Sequence, residues 1–408
     1  MENIFLILFW TGIFVTFYVY IFYGVIVETL LFIKKNLLNR KHETPIYKEH
    51  GLPEITVIIA AYNEQDFIAE KIENTFETNY PKNKLNVWVV ADGSTDNTSS
   101  IAAAFEGVKV FFKPERKGKI HAVNRVMKKV QTPITIFTDA NTFLNIEALH
   151  NLVHPFKDPN TGVVAGEKKV LSTEKDSAAG AGEGFYWKYE SWLKSADAQL
   201  YSTMGAAGEL FAIKTTLYRE ISSDTLIEDF VLSMQIAAEG YKIAYAPKAI
   251  ASELPSANVK EEEKRKIRIA AGGLQAVWRL RKIMNPIKYP LLSFQFVSHR
   301  ALRWTLAPLS LPIILLSNIG LAVESNHTIY RYALLLQVGF YALAFAFYLL
   351  KDKNFKSKVL FVPFYFTMMN LSVFKGLLRL INNQQSVVWE KAKRREIPTP
   401  INREADAA

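Results

Sequence analysis

The sequence predicts an α/β domain, a Rossmann-like parallel sheet covered by helices, inserted between membrane-spanning helices. Three observations carry this expectation. Short apolar runs of strand length end abruptly in polar or glycine-rich sequence and alternate with helical stretches. Apolar residues concentrate at 4–33 and again from about 290 to 383. Basic residues flank those two regions rather than spreading through the chain.

The 408 residues carry a net charge of +10 and no cysteine. Disulfides and cysteine-ligated zinc or iron–sulfur sites are thereby excluded. A basic chain can bind nucleic acid, but here Lys34, Lys35, Arg40 and Lys41 follow the first apolar segment, and Lys391, Lys393, Arg394 and Arg395 follow the last. That placement suits anionic lipid headgroups better than a nucleic-acid groove, so membrane lipids are an expected partner and nucleic acid is not.

Residues 1–35 read as an N-terminal transmembrane helix. Ile4–Ile33 is apolar except for Glu28, with no basic leader and no evident small-residue cleavage site, which disfavours a signal peptide. The basic cluster behind it places the N-terminus outside and the following domain in the cytosol, as in a multi-pass cell-membrane protein. Residues 50–260 read as that cytosolic domain. Its strands are Glu54–Ala61, Leu85–Ala91, Val108–Phe112 and Ile134–Thr138, with helices to about Thr78 and over Gly118–Lys129. Glu183–Leu200 reads as a helix whose Phe185, Trp187, Tyr189 and Trp192 serve core packing more readily than ligand stacking. Residues 261–300 are basic and amphipathic, with Gly272-Gly273 and Trp278, and read as interfacial helices. In the 301–383 membrane region, Trp304–Val323 and Tyr330–Leu350 form a hairpin. The run from Val359 to about Ile381 is interrupted by Pro363, Asn370, Lys375 and Arg379. Four crossings from an outside N-terminus would leave the basic tail, 384–408, outside, against the charge rule. The last run is therefore either re-entrant or interfacial, or one span is miscounted.

The strand Ile134–Thr138 delivers Asp139 and Asn141 to the carboxyl edge of the sheet, where open α/β sheets bind ligands. Two residues apart, they offer one anionic and one neutral hard oxygen, a pair suited to Mg²⁺ or Mn²⁺ carrying a diphosphate. The alternative is a solvated turn capping the helix near Asn145–His150. Further motifs are Tyr62-Asn63-Glu64, Asp92-Gly93-Ser94-x-Asp96-x-Thr98, Lys119-x-x-Ala122-x-Asn124 and Glu228-Asp229. In order and approximate spacing, these five resemble family 2 glycosyltransferases, over about residues 54–285. The membrane layout is similar to the branch containing cellulose, chitin, hyaluronan and poly-N-acetylglucosamine synthases.

The resemblance implies a GT-A nucleotide-sugar domain and assigns roles. Tyr62, Asn63 and Glu64 belong to the nucleoside pocket. Asp92 accepts from the uracil imide N–H of a UDP-sugar, and Gly93 allows the tight turn beside it. Lys119 neutralises the diphosphate, with Asn124 placed on the same helix face. Asp139 holds the metal; Asn141 stands where the family has a second acid. Gly205, Gly208 and Glu209 fall in a small-residue loop beneath the acceptor sugar. Glu228 and Asp229 are the catalytic acids, with Asp229 the base that deprotonates the acceptor hydroxyl in an inverting displacement. Without the resemblance, the two acids would simply favour a helix N-terminus. The family's Gln-x-x-Arg-Trp motif survives here only as Arg265-Lys-Ile-Arg268-Ile269, so Arg268 still reaches the diphosphate while the tryptophan is replaced.

The implied activity is sugar transfer from a nucleotide-sugar to a growing polysaccharide or exported glycan, with a possible partner subunit for export. Addition of one sugar to a lipid-linked acceptor is the alternative that the altered motif favours. A catalytically silent, membrane-anchored nucleotide-sugar-binding subunit is the alternative of another class.

Overall fold

The computed structural model describes residues 1–37, 51–171, 178–350, 358–384 and 386, apart from the side chains of 37, 178–186 and 358. Arg40, Lys41, the 391–395 basic cluster and the Phe185 side chain lie outside that description.

Helix α1 (Glu2–Phe17) continues through a π-helical turn, Tyr18–Phe22, into α2 (Tyr23–Leu37). At about 1.5 Å per residue this rod is about 50 Å long, more than the hydrocarbon thickness of a bilayer. Its far end docks on the globular domain, where Lys34 donates to the carbonyls of Gln199 and Leu200 at 2.6 and 2.8 Å. The domain proper runs β1 (Ile55–Ala61), α3 (Ile68–Glu77), β2 (Leu85–Asp92), α4 (Thr98–Ala103), β3 (Val108–Lys113), α5 (Lys119–Met127) and β4 (Ile134–Asp139). There follow β5 (Thr142–Leu144), α6 (Ala148–Val153), β6 (Thr161–Val170), α7 (Ala178–Leu200), β7 (Leu210–Lys214), α8 (Glu228–Ala238) and β8 (Lys242–Glu253).

The sheet order is β3-β2-β1-β4-β7-β6-β8-β5. The first four strands pair in parallel, and β1, β2 and β4 are buried on both faces, as their continuous apolar runs require. Beyond β4 the expected all-parallel sheet gives way to a mixed one. Strand β7 runs antiparallel to both β4 and β6, β6 and β8 are parallel, and β5 is antiparallel to β8. This reversal shapes the site. Because Thr138 at the carboxyl end of β4 pairs with Leu210 at the amino end of β7, the loop before β7 opens onto the edge that carries Asp92 and Asp139.

Helix α9 (Val259–Arg279) starts at Asn258, whose side chain accepts from the Glu261 N–H. It is followed by α10 (Pro290–Gln295), the π-helical turn Phe296–Ala301, α11 (Leu302–Trp304), α12 (Leu306–Glu324), α13 (Thr328–Leu350) and α14 (Lys358–Ile381). Among the described residues, four helical segments are long and apolar enough to cross a membrane: Glu2–Asn36, Leu306–Glu324, Thr328–Leu350 and Val359–Ile381. The last is the most buried of them, and it lies along α9. Gly376 sits where a Cβ would be 2.8 Å from the Ala271 nitrogen, and Lys375 pairs with Glu263 at 2.5 Å. Likewise Gly272 and Gly273 admit Ile227 and Trp304 against the face of α9.

Candidate active site

Two connected hollows meet at the carboxyl edge of the sheet. The smaller is lined by Tyr62, Glu64, Asp92, Arg116, Lys119 and Asn141, with Asp139 at its margin. The larger, about 520 Å³, shares Lys119 and Asp139 and continues past Gly205–Glu209, Glu228 and Asp229 to side chains of α7 and α14. The ends of three parallel strands, the loop before β7 and the first turn of α8 therefore converge here.

In the smaller hollow the Arg116 guanidinium lies over the Tyr62 ring, 3.7 Å from its centroid. Asp92 Oδ2 accepts the backbone N–H groups of Lys117 and Gly118 at 3.0 and 2.6 Å, which fixes the entry to α5. Gly93 has φ +69°, and a Cβ there would stand 2.7 Å from the Arg116 Cα, so glycine is needed twice over. Asn63, also left-handed at φ 52°, is a turn residue: its Oδ1 accepts from the Thr95 N–H at 2.8 Å and its own N–H reaches Ser94.

At the junction of the hollows Lys119 Nζ donates to Asp139 Oδ1 at 2.7 Å and stands 3.4 Å from Glu228 Oε1. A Cβ on Gly208 would be 3.3 Å from Asp229 Oδ2 and 3.4 Å from Lys119 Nζ, so bare backbone forms one wall of this cluster. Burial and the neighbouring Glu228 push the Asp229 carboxyl up to about 7, with Lys119 acting in the opposite sense. Arg268 lines the same cavity, and burial lowers its pKa while Glu228, Asp229 and Asp139 oppose that shift. Gly205, at φ +86°, lies against Phe230, where a Cβ would overlap the ring. Glu209 pairs with Lys168 at 2.5 Å, and Lys168 with Arg265 holds its carboxyl well below the usual range.

Asn124 does not join this group. Its Nδ2 donates to the Ile221 carbonyl at 2.8 Å and its Oδ1 accepts from Tyr218 at 2.5 Å. The physical reason is helical geometry, since a residue five positions after Lys119 lies about 140° around the helix from it. Trp187, expected in the core, lines the larger cavity, and Tyr189 lines it too while packing, as expected, against the buried cluster around Tyr23 and Leu193. Trp192 is 40% exposed and packs on Gly24.

Sequence reasoning missed several residues. Lys71 is wholly buried, with burial lowering its pKa to about 7. It donates to Thr138 Oγ1 at 3.0 Å and to the Thr142 carbonyl at 2.6 Å, bracing the turn that carries Asp139 and Asn141. A lysine inside the stripe Ile68, Lys71, Ile72, Thr75 was the available signal. Arg300, Arg303 and Trp304 also line the larger cavity, contributed by an apolar stretch with no motif of its own.

The hard oxygens of Asp139 and Asn141 are chemically suited to Mg²⁺ or Mn²⁺. Among the described residues no group of three or more His, Cys, Asp or Glu side chains could hold a metal ion. A cation here would have to draw its remaining ligands from a bound diphosphate and water.

Residues 56–221 match the family model Glycosyl transferase family 2. The chain is 25% identical over 276 residues to the poly-beta-1,6-N-acetyl-D-glucosamine synthase of Staphylococcus aureus strain MSSA476, a match spanning 65% of each chain. The Staphylococcus epidermidis protein of the same name is 25% identical over 271 residues, 64% of each. Less than two thirds of these relatives' length is thus matched. Among solved structures, the mannosyltransferase PcManGT from Pyrobaculum calidifontis, in complex with GDP-Man and Mn²⁺, superposes with a TM-score of 0.70 at 23% identity. That superposition covers 94% of this chain and 99% of that one. With its sheet reversal at β7 and its strand-end carboxylates, the chain carries a glycosyltransferase family 2 domain of the GT-A fold.

Proposed function

We propose that this protein is a membrane-embedded, inverting glycosyltransferase that moves a sugar from a nucleotide-sugar, a UDP-sugar in our reading, to a growing glycan or a lipid-linked acceptor. The observation that carries the proposal is the convergence of Lys119, Asp139, Glu228, Asp229 and Gly208 where the two hollows meet. The smaller hollow takes the nucleoside, with Tyr62 as an aromatic wall, Asp92 facing the base, and Asn63 and Glu64 completing the turn. The larger takes the acceptor.

Asp229 accepts the proton of the acceptor hydroxyl as that oxygen attacks the anomeric carbon. The bond from that carbon to the diphosphate oxygen breaks, and the nucleoside diphosphate leaves. One displacement with no protein nucleophile gives inversion. A carboxyl raised to about 7 is matched to this task near neutral pH. Lys119 and Arg268 supply fixed positive charge to the departing diphosphate. Asp139 and Asn141 would hold a divalent cation, which when bound adds Lewis-acid stabilisation of the same group. The relatives' name supports a polymer product, and the GDP-Man and Mn²⁺ of the mannosyltransferase support the donor class and the cation.

The altered Arg265–Ile269 motif, together with cavity walls supplied by the apolar helix α14, favours the second reading, addition of one sugar to a lipid acceptor. The purified protein, assayed for nucleoside diphosphate release across UDP- and GDP-sugars with Mg²⁺ or Mn²⁺, separates these readings. A ladder of long products supports polymer synthesis, and a single glycolipid supports the second reading. No release with any donor would sink the stand-alone enzyme and leave a partner-dependent subunit or a silent binding subunit.

A further inference from the structure

Helix α7 presents Glu190, Lys194 and Asp197 at a spacing that places them on one face. A lysine so flanked ordinarily pairs with the acid four residues before it or three after. Here both acids are committed elsewhere. Glu190 accepts from Arg300 at 2.7 Å and Arg303 at 2.8 Å, with His299 at 3.4 Å. Asp197 accepts from Tyr23 at 2.5 Å and Gln295 at 3.1 Å and pairs with His299 Nδ1 at 2.6 Å. Lys194 is only 5% exposed and lines the larger cavity, and among the described residues it has no hydrogen bond or ion pair. The two buried carboxylates are thus taken up by His299, Arg300, Arg303, Tyr23 and Gln295, and Lys194 is left without either. A lysine on a cavity wall with no protein anion beside it is where a ligand can supply one.

We propose that Lys194 is a subsite for an anionic group on the acceptor, a phosphate ester or a carboxylate. Trp187, Tyr189 and Tyr365 offer the adjoining apolar and aromatic wall. The inference rests on the acceptor assignment of this cavity made above. Two sources have this chemistry, a polyprenyl phosphate headgroup and a uronic-acid unit of a glycan.

Dissociation constants would be measured by thermal-shift titration of the full chain in detergent. The probes are two matched pairs, polyprenyl phosphate against polyprenol of equal length, and a uronic-acid oligosaccharide against a neutral one of equal size. We expect wild type to bind one anionic probe at least about tenfold more tightly than its neutral partner. Lys194→Met and Lys194→Gln should erase that preference and Lys194→Arg keep it. The preferred pair identifies the source. No preference in either pair, or a preference that survives in both neutral variants, overturns the proposal. The wild-type comparison holds whether or not a variant folds. Donor turnover is followed on the same wild-type preparation. Turnover without anion preference sinks this inference alone, whereas absent turnover sinks the function proposed above.

Discussion

Asp229 sets stability against reactivity. Its ordinary carboxyl pKa is about 3.9, and the fold raises it to about 7, so the folded state prefers the protonated form. A raised carboxyl pKa means that the stabilising protonated form is fully present below the unfolded pKa and is lost as pH rises through the folded one. Asp229→Asn, a neutral mimic, should therefore raise Tm at pH 8 while leaving it near wild type at pH 4, which scanning calorimetry at the two pH values would check. Turnover should rise with pH along a limb centred near 7, because only the ionised form accepts a proton. Asn124 gives the contrasting case. Asn124→Ala should cost about 1–3 kcal/mol by orphaning buried partners near Ile221, yet leave donor affinity unchanged, as denaturant titration and a donor-binding assay would show. Asp92, Asp139 and Asp229 were legible because each is an acid standing at an element boundary. Lys71 and Lys194 were not, since a lysine reads as solvated until packing and the commitments of its neighbours are known.

Among the elements, the parallel half of the sheet was readable because strands buried on both faces write continuous apolar runs. The antiparallel half was not. Strand β6 has only the short apolar run Val163–Ala165, set between glycines and followed by Glu167-Lys168-Lys169, β8 mixes lysines, a proline and small residues along a half-buried strand, and β5 spans three residues. The α9–α14 pair was half-readable. The charges along α9 predicted an interfacial helix, but the interruptions in α14 find their reason only in the contact between the two. There Lys375 meets Glu263 and Gly376 allows backbone to approach backbone, while on another side of α14 Asn370 accepts from Tyr20 of the N-terminal rod at 2.9 Å. Gly376→Val should force the helices apart at a cost of about 1–3 kcal/mol. The same change should weaken sugar transfer to acceptor more than donor hydrolysis, which parallel assays on one preparation would detect.

At the scale of the whole molecule, α1 and α12 pack antiparallel. Gly12 lies against Ile314, Gly320 against Phe5, and Thr16 meets Ser310 at 2.8 Å. Met1 and the turn Ser325–His327 therefore share one end, and the globular domain occupies the other, where Lys34 and Lys35 dock on α7. In our reading that second end is cytosolic, and α14, lying along α9, brings Gln384 to the same side. Because the chain has no cysteine, single substitutions can test this directly. Cysteine at Asn326 should be labelled by an impermeant thiol reagent in intact cells, and cysteine at Gln384 only after permeabilisation. Labelling of both in intact cells would require α14 to cross the membrane instead.

The central claim is that Asp229 acts as a base at a nucleotide-sugar site built from three strand ends, and one comparison tests it most directly. Nucleoside diphosphate release and donor affinity would be measured side by side for wild type and Asp229→Asn. The account predicts unchanged donor affinity with turnover lower by at least about a hundredfold. A variant that still turns over donor and acceptor at near wild-type rate would contradict it.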